Sequence, residues 1–161
     1  MKKTSYVAKA GIIASLYVVL TWVSSVFGLS SGVIQCRLGE ALCILPIFTP
    51  AAIPGVTIGC VISNILFSGS IFDITLGSLA TLAGAFGAYL LRKGKLKYLA
   101  SFPTVIANAV TVPVILILMG IDELYWYIAL TVAIGEVLSC TLIGGILARY
   151  IEKSGLRKHL S

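Results

Sequence analysis

Long apolar runs separated by short polar or charged intervals make up nearly the whole chain. The first, from Val7 to Leu29, is long enough for a membrane-spanning helix, which takes about 20 apolar residues. A polar interval, Ser30 to Glu40, follows and carries Gln35, Arg37 and Glu40. The next stretch, Ala41 to Phe72, contains no charged residue in 32 positions, too many for one span and too few for two full ones. Pro46, Pro50 and Pro54 punctuate it, and proline removes a helix donor and clashes with the preceding turn. The stretch therefore splits near Pro50 to Pro54 into two short helices, about 40–53 and 54–71. Each is near 15 residues, roughly 22 Å of α-helix, shorter than a hydrocarbon core of about 30 Å. Further runs predict spans at about 74–91, 99–120 and 125–151. The pattern predicts an all-α integral membrane protein, a six-transmembrane-helix bundle forming a single membrane domain over residues 1–161, with short, proline-broken helices 2 and 3.

Composition excludes a soluble globular domain. Of the 161 residues, 58% are hydrophobic and 11% charged, where a soluble domain carries about 25% charged residues. The net charge of +6 comes from basic clusters that abut the apolar runs, at Lys2, Lys3 and Lys9, at Arg92 to Lys97, and at Arg149 to Lys158. They lack the aromatic interleaving of a nucleic-acid surface and read as topology signals. With six spans, eleven of the twelve basic residues fall on the side of the termini and only Arg37 falls opposite, which places both termini in the cytoplasm. Joining residues 41–72 into one span would put the cluster at 92–97 outside, so charge supports the split independently. The first run is longer than a signal-peptide core and has no clear A-x-A site, so it is expected to be retained in a multi-pass protein of the cell membrane.

Several chemistries have no residues to carry them. Cys36, Cys43, Cys60 and Cys140 show no C-x-x-C spacing and the single histidine, His159, lies in the tail, so no metal site is expected. There is no P-loop, no H-E-x-x-H and no G-x-S-x-G. An enzyme would have only carboxylates to work with, no cofactor is implied, and ATP-driven transport would need the ATPase on another chain.

The few polar residues within the spans are the candidates for a binding site. Glu136 lies mid-span, about 16 Å along the helix from Tyr125, where a charge costs a few kcal/mol and usually marks a pathway or ligand. Arg37 and Glu40 sit three apart at the outer start of the second span and share a face if helical. Asp73 lies at the outer junction of the third and fourth spans, and Asn64 and Asn108 bring amides into the interior. Asp122 and Glu123 are expected to be solvated, with Tyr125, Trp126 and Tyr127 forming an interface belt or a lid. Gln35, Arg37, Glu40, Asn64, Asp73, Asn108, Trp126 and Glu136 together predict a polar pocket open to the outside, suited to binding rather than conduction. Small residues recur at every fourth position, at Ala10 and Ala14, Gly55 and Gly59, Ala80, Gly84 and Ala88, and Gly144 and Ala148. Most serve the bundle; Ala10 and Ala14, at the cytoplasmic end of the first span, are candidates for an external partner.

The stretch Val33 to Leu82 has a specific likeness. Val33-Ile34-Gln35-Cys36-Arg37-Leu38-Gly39-Glu40-Ala41-Leu42, Leu45-Pro46-Ile47-Phe48-Thr49-Pro50-Ala51-Ala52-Ile53-Pro54-Gly55, Ile58-Gly59-Cys60 with Asn64, and Asp73-Ile74-Thr75-Leu76-Gly77-Ser78-Leu79-Ala80-Thr81-Leu82 resemble the QueT family. These are substrate-binding (S) components of energy-coupling factor (ECF) transporters, linked to salvage of queuosine precursors. The resemblance implies a six-helix S component that captures a 7-deazaguanine such as preQ1 from outside and docks on an ECF module of a transmembrane coupling protein and two ATPases. It also implies that a small-residue face on the first helix, here Ala10 and Ala14, meets the coupling protein. The ring's adjacent N–H and amino group suit a carboxylate, and its aminomethyl cation a second one. Glu40, Asp73 and Glu136 are candidates for either role, Asn64, Asn108 and Gln35 for the remaining edge, and Trp126 or a neighbouring tyrosine for stacking. An S component for another vitamin-like solute and a stand-alone proton-coupled carrier are the alternatives.

Overall fold

The computed structural model describes residues 3–29 and 36–156. Gln35 lies outside them. All the regular structure among the described residues is helical, and three helical rods are long and apolar enough to cross a membrane: Lys3–Val26, Leu96–Leu118 and Tyr125–Lys153. Helix α1 spans Lys3–Val26. Its outer surface exposes Val7, Ile12, Leu16, Val19 and Trp22, an apolar face that water would not tolerate and lipid does.

The second segment, Leu38–Ile47, is not an α-helix. It is wound as a ten-residue 3₁₀-helix with Pro46 inside it, and eight of its residues, Gly39 to Pro46, are buried. At about 2.0 Å per residue this winding stretches ten residues over about 20 Å, where an α-helix would give about 15 Å. An element apolar on every side belongs in the middle of a bundle. The 3₁₀-helix occupies that place, in contact with α1 and, from later in the chain, with residues 52–63, 78–90 and 137–153.

Pro50 lies in the turn before α2, Ala52–Ser63, whose first turn holds Pro54, where a missing N–H leaves no bond unmade. α2 runs into a π-helical turn, Asn64–Ser68, closed by Gly69 in the left-handed region at φ 66°. A second π turn, Asp73–Gly77, leads into α3, Ser78–Leu90. After a short 3₁₀ turn, Gly94–Leu99, come α4, Phe102–Leu118, and α5, Tyr125–Glu136. A third π turn, Val137–Ile143, joins α5 to α6, Gly144–Lys153, in one rod of 29 residues.

Small residues set the closest approaches, as expected where packing rather than hydrophobicity drives helix association. A Cβ on Gly55 would stand 2.9 Å from Ile13 Cβ and 3.0 Å from the Ala10 carbonyl oxygen; one on Gly59 would stand 2.7 Å from Tyr17 Cβ and 3.0 Å from the Ala14 carbonyl. Gly84 and Gly87 admit Thr104 and Pro103 of α4 in the same way, and Gly144 meets the Ala41 carbonyl. This corrects the reading of Ala10 and Ala14. Both are buried, and the face they form is filled by α2 of the same chain, so it is not open to an external partner. Spacing shows that small residues admit a neighbour but not which neighbour.

Candidate functional site

Arg37 and Glu40 stand at the start of the central 3₁₀-helix, and four other elements bring polar groups to them. The second π turn supplies Asp73 and Gly77, α3 supplies Thr81, α4 supplies Asn108, and the end of α5 supplies Glu136. Val112 and Val132 complete the walls of a cavity of about 10 Å³, room for about one water. Glu40, Asp73, Asn108 and Glu136 are all buried. Carboxylates so placed must find donors or counter-charges, because an unpaired buried charge is strongly destabilising.

The three carboxylates find them differently. Glu40 is served from inside the bundle: Tyr17 Oη of α1 donates to Oε1 and Cys43 Sγ (3.1 Å) to Oε2, while the single Thr81 hydroxyl proton is within reach of Oε1 (3.4 Å), the Gly77 carbonyl (3.2 Å) and Cys60 Sγ (3.3 Å). It ties α1, the 3₁₀-helix and α3 together beneath the cavity. Asp73 Oδ2 accepts from Ser68 Oγ, which clips the two π turns to each other. Glu136 is half satisfied. Asn108 Nδ2 donates to Oε1 at 2.8 Å, while Oε2 is buried with no hydrogen-bond partner among the described residues.

Arg37 makes its direct hydrogen bond to an amide. Its Nη1 donates to Asn64 Oδ1 at 3.5 Å, and Asn64 Nδ2 in turn donates to the Asp73 backbone carbonyl at 2.8 Å. The one ion pair within 4.0 Å among the described residues is Lys97–Glu152, far along the chain, so the guanidinium is not neutralised by direct contact with a carboxylate. The cavity thus brings together a guanidinium with unused donors and a carboxylate oxygen with no donor. Such a pair of groups suits a ligand presenting acceptors on one edge and N–H donors on another.

Among the residues expected from the sequence, Arg37, Glu40, Asp73, Asn108 and Glu136 line the cavity, and Asn64 buttresses it. Trp126 does not reach it. It is 77% exposed and packs edge-on against Tyr125 at 5.2 Å between ring centroids, while Tyr125 Oη donates to the Val110 carbonyl. Asp122 and Glu123 are exposed beside it. Two hydroxyl groups beside Glu40 are not marked by the sequence. Tyr17 lies three residues beyond Ala14 and seven beyond Ala10, on the face that enters the bundle, and Thr81 follows Asp73 by eight residues, about two turns. We expect Tyr17→Phe to lower stability by about 1–3 kcal/mol, since it removes a buried donor to a carboxylate. Thermal melting in detergent checks this, with Tyr6→Phe at the other end of α1 as the reference.

A family model described as QueT transporter matches residues 7–153. The chain belongs to the QueT transporter family. The QueT match takes in every described cavity residue, from Arg37 to Glu136. The Queuosine precursor transporter QueT of Lactococcus lactis subsp. cremoris (strain MG1363) is 41% identical over 80 residues, which cover 50% of this chain and 47% of that protein. The match thus spans about half the length of this curated relative. No solved structure matches the chain. Family and relative carry the names of transporters, not of enzymes.

Proposed function

We propose that this QueT family member is the substrate-binding component of an ECF-type importer, capturing preQ1 or a related 7-deazaguanine from outside for ATP-driven uptake. The unpartnered Glu136 Oε2, buried at a cavity that Arg37 also lines, carries this reading. A deazaguanine has an N–H and an amino group side by side for that carboxylate, and a ring carbonyl for the guanidinium. Asp73, one oxygen of which is held by Ser68, is the second carboxylate and in this reading takes the aminomethyl cation with the other oxygen. Glu40, with an internal donor on each of its oxygens, holds the floor rather than the ligand.

In this reading the single membrane domain of residues 1–161 makes six passes through the cell membrane, with both termini in the cytoplasm and the cavity toward the outside. No P-loop is present, so the ATPases are other chains, reached through a coupling protein. With Ala10 and Ala14 turned inward, that protein has the outer face of α1, where Ala8, Gly11 and Ser15 line a shallow groove.

Calorimetry with purified protein tests the capture step. Sub-micromolar binding of preQ1 is expected, and no measurable binding of any 7-deazaguanine overturns the reading. Trp126→Ala is expected to change the affinity by less than about two-fold, because the ring faces outward as an interface anchor. A ten-fold loss in the same titration would show that Trp126 folds over the ligand.

A further inference from the structure

A second, larger concavity lies away from the polar cavity, between the 3₁₀ turn Gly94–Leu99, the central 3₁₀-helix and the α5–α6 rod. It is an open groove of about 410 Å³. Ile44, Val137 and Ile146 form part of its apolar wall, and Lys97, Arg149 and Glu152 stand at one end. From Val137 to Arg149 is twelve residues, about 18 Å along the rod. Its charged end lies where the basic clusters of residues 92–97 and 149–153 meet the membrane surface.

The charges at that end do not cancel. Lys97 Nζ pairs with Glu152 Oε1 at 2.9 Å, whereas Arg149 has no carboxylate within 4.0 Å among the described residues. Lys153 follows Arg149 by four residues, on the same face of α6. A long apolar trough ending in excess positive charge is complementary to an anionic amphiphile. A polar solute would gain nothing from the isoleucine and valine wall, and a neutral lipid nothing from Arg149.

We propose that this groove is a binding site for an anionic phospholipid of the surrounding membrane, with an acyl chain along Ile44, Ile146 and Val137 and the phosphate against Arg149. Basic pockets between transmembrane helices take lipid phosphates for the same electrostatic reason. The far end of the trough is Val137, the residue after Glu136, so the bound chain lies against the π turn that continues from the polar cavity.

Native mass spectrometry of the full chain, incubated with equal amounts of phosphatidylglycerol and phosphatidylcholine, tests the proposal. Preferential retention of phosphatidylglycerol is expected. Arg149→Gln should cut that preference about five-fold, the worth of one basic residue near a membrane surface. Gly145→Leu is the steric arm: Gly145 lines the groove and an added Cβ there meets no atom within 4 Å, so a leucine puts its bulk in the path of the acyl chain. It should abolish retention at this site while melting temperature and preQ1 titration stay those of the wild type. Arg92→Gln, whose guanidinium lies 3.9 Å over the Tyr89 ring and not in the groove, should leave the preference intact.

Equal retention of the two lipids by the wild type overturns the proposal, as does unchanged retention in Gly145→Leu. If both groove variants keep their lipid but lose co-purification with a coupling protein, the groove is a protein-docking face and the lipid site is refuted.

Discussion

Glu136→Gln is expected to weaken preQ1 binding about a hundred-fold while leaving the protein folded. The amide keeps an oxygen for the Asn108 donor, so the local geometry survives. What it loses is the charge of a carboxylate that lines the cavity. Hydrogen bonds to a charged group contribute about 1.5–3 kcal/mol each, and replacing one of two acceptors by a donor loses about 3 kcal/mol in all. At 1.4 kcal/mol per factor of ten that is about a hundred-fold. Titration calorimetry reads the affinity and a melting curve reads the fold. An affinity within about three-fold of the wild type would exclude Glu136 from ligand contact. Glu40→Gln offers the contrast: its carboxylate accepts from Tyr17 and Cys43, so the larger share of its loss should fall on stability.

The largest structural effect is expected from Gly59→Val. Its Cβ alone would stand 2.7 Å from Tyr17 Cβ and 3.0 Å from the Ala14 carbonyl, and the latter is backbone that no rotamer change can move aside. Overpacking usually costs about 1–3 kcal/mol, and α1 would have to lift from α2 as a whole, placing this variant at or above the upper end. The displacement also pulls Tyr17 from Glu40, so ligand affinity should fall together with melting temperature. Gly11→Val on the opposite face of α1, where an added Cβ meets nothing within 4 Å, should melt like the wild type. Equal melting temperatures for Gly59→Val and the wild type would show that the two helices are not held at this distance.

Much of the cavity could be read from the sequence because charge is scarce in the apolar runs and expensive inside a membrane. Glu40, Asp73 and Glu136, with Arg37, were conspicuous for that reason, and all four line one cavity. Asn64 and Asn108 stood out as amides within apolar runs. Trp126, which lies outside the cavity lining, is ambiguous in sequence because an aromatic cluster after two acids fits an interface anchor and a pocket lid equally well. Tyr17 was hidden for the opposite reason: in an apolar helix its ring reads as lipid-facing or core, and its hydroxyl matters only once Glu40 is known to lie beneath it.

The winding of residues 38–47 was not legible either. Helix type is inferred from which positions are polar, and a segment with eight of ten residues buried has no polar stripe from which to read a period. Small-residue spacing was informative and incomplete in the same way. It marked Ala10 and Ala14 as a close-packing face, and Gly55 and Gly59 of the same chain fill it.

The three π turns border the cavity, carrying Asn64, Asp73 and Gly77 or following directly from Glu136. Each is a helix with one residue more per turn than it needs, and such a surplus can migrate. Passing it one residue along turns the side chains between its old and new positions by about 100° while almost every backbone hydrogen bond has a successor. A cavity of about 10 Å³, room for about one water, must enlarge about ten-fold or more before a two-ring base can enter. With surplus residues stored at its rim, the pocket can widen by rolling its polar side chains outward, and no stretch of backbone has to be bared to lipid in the process.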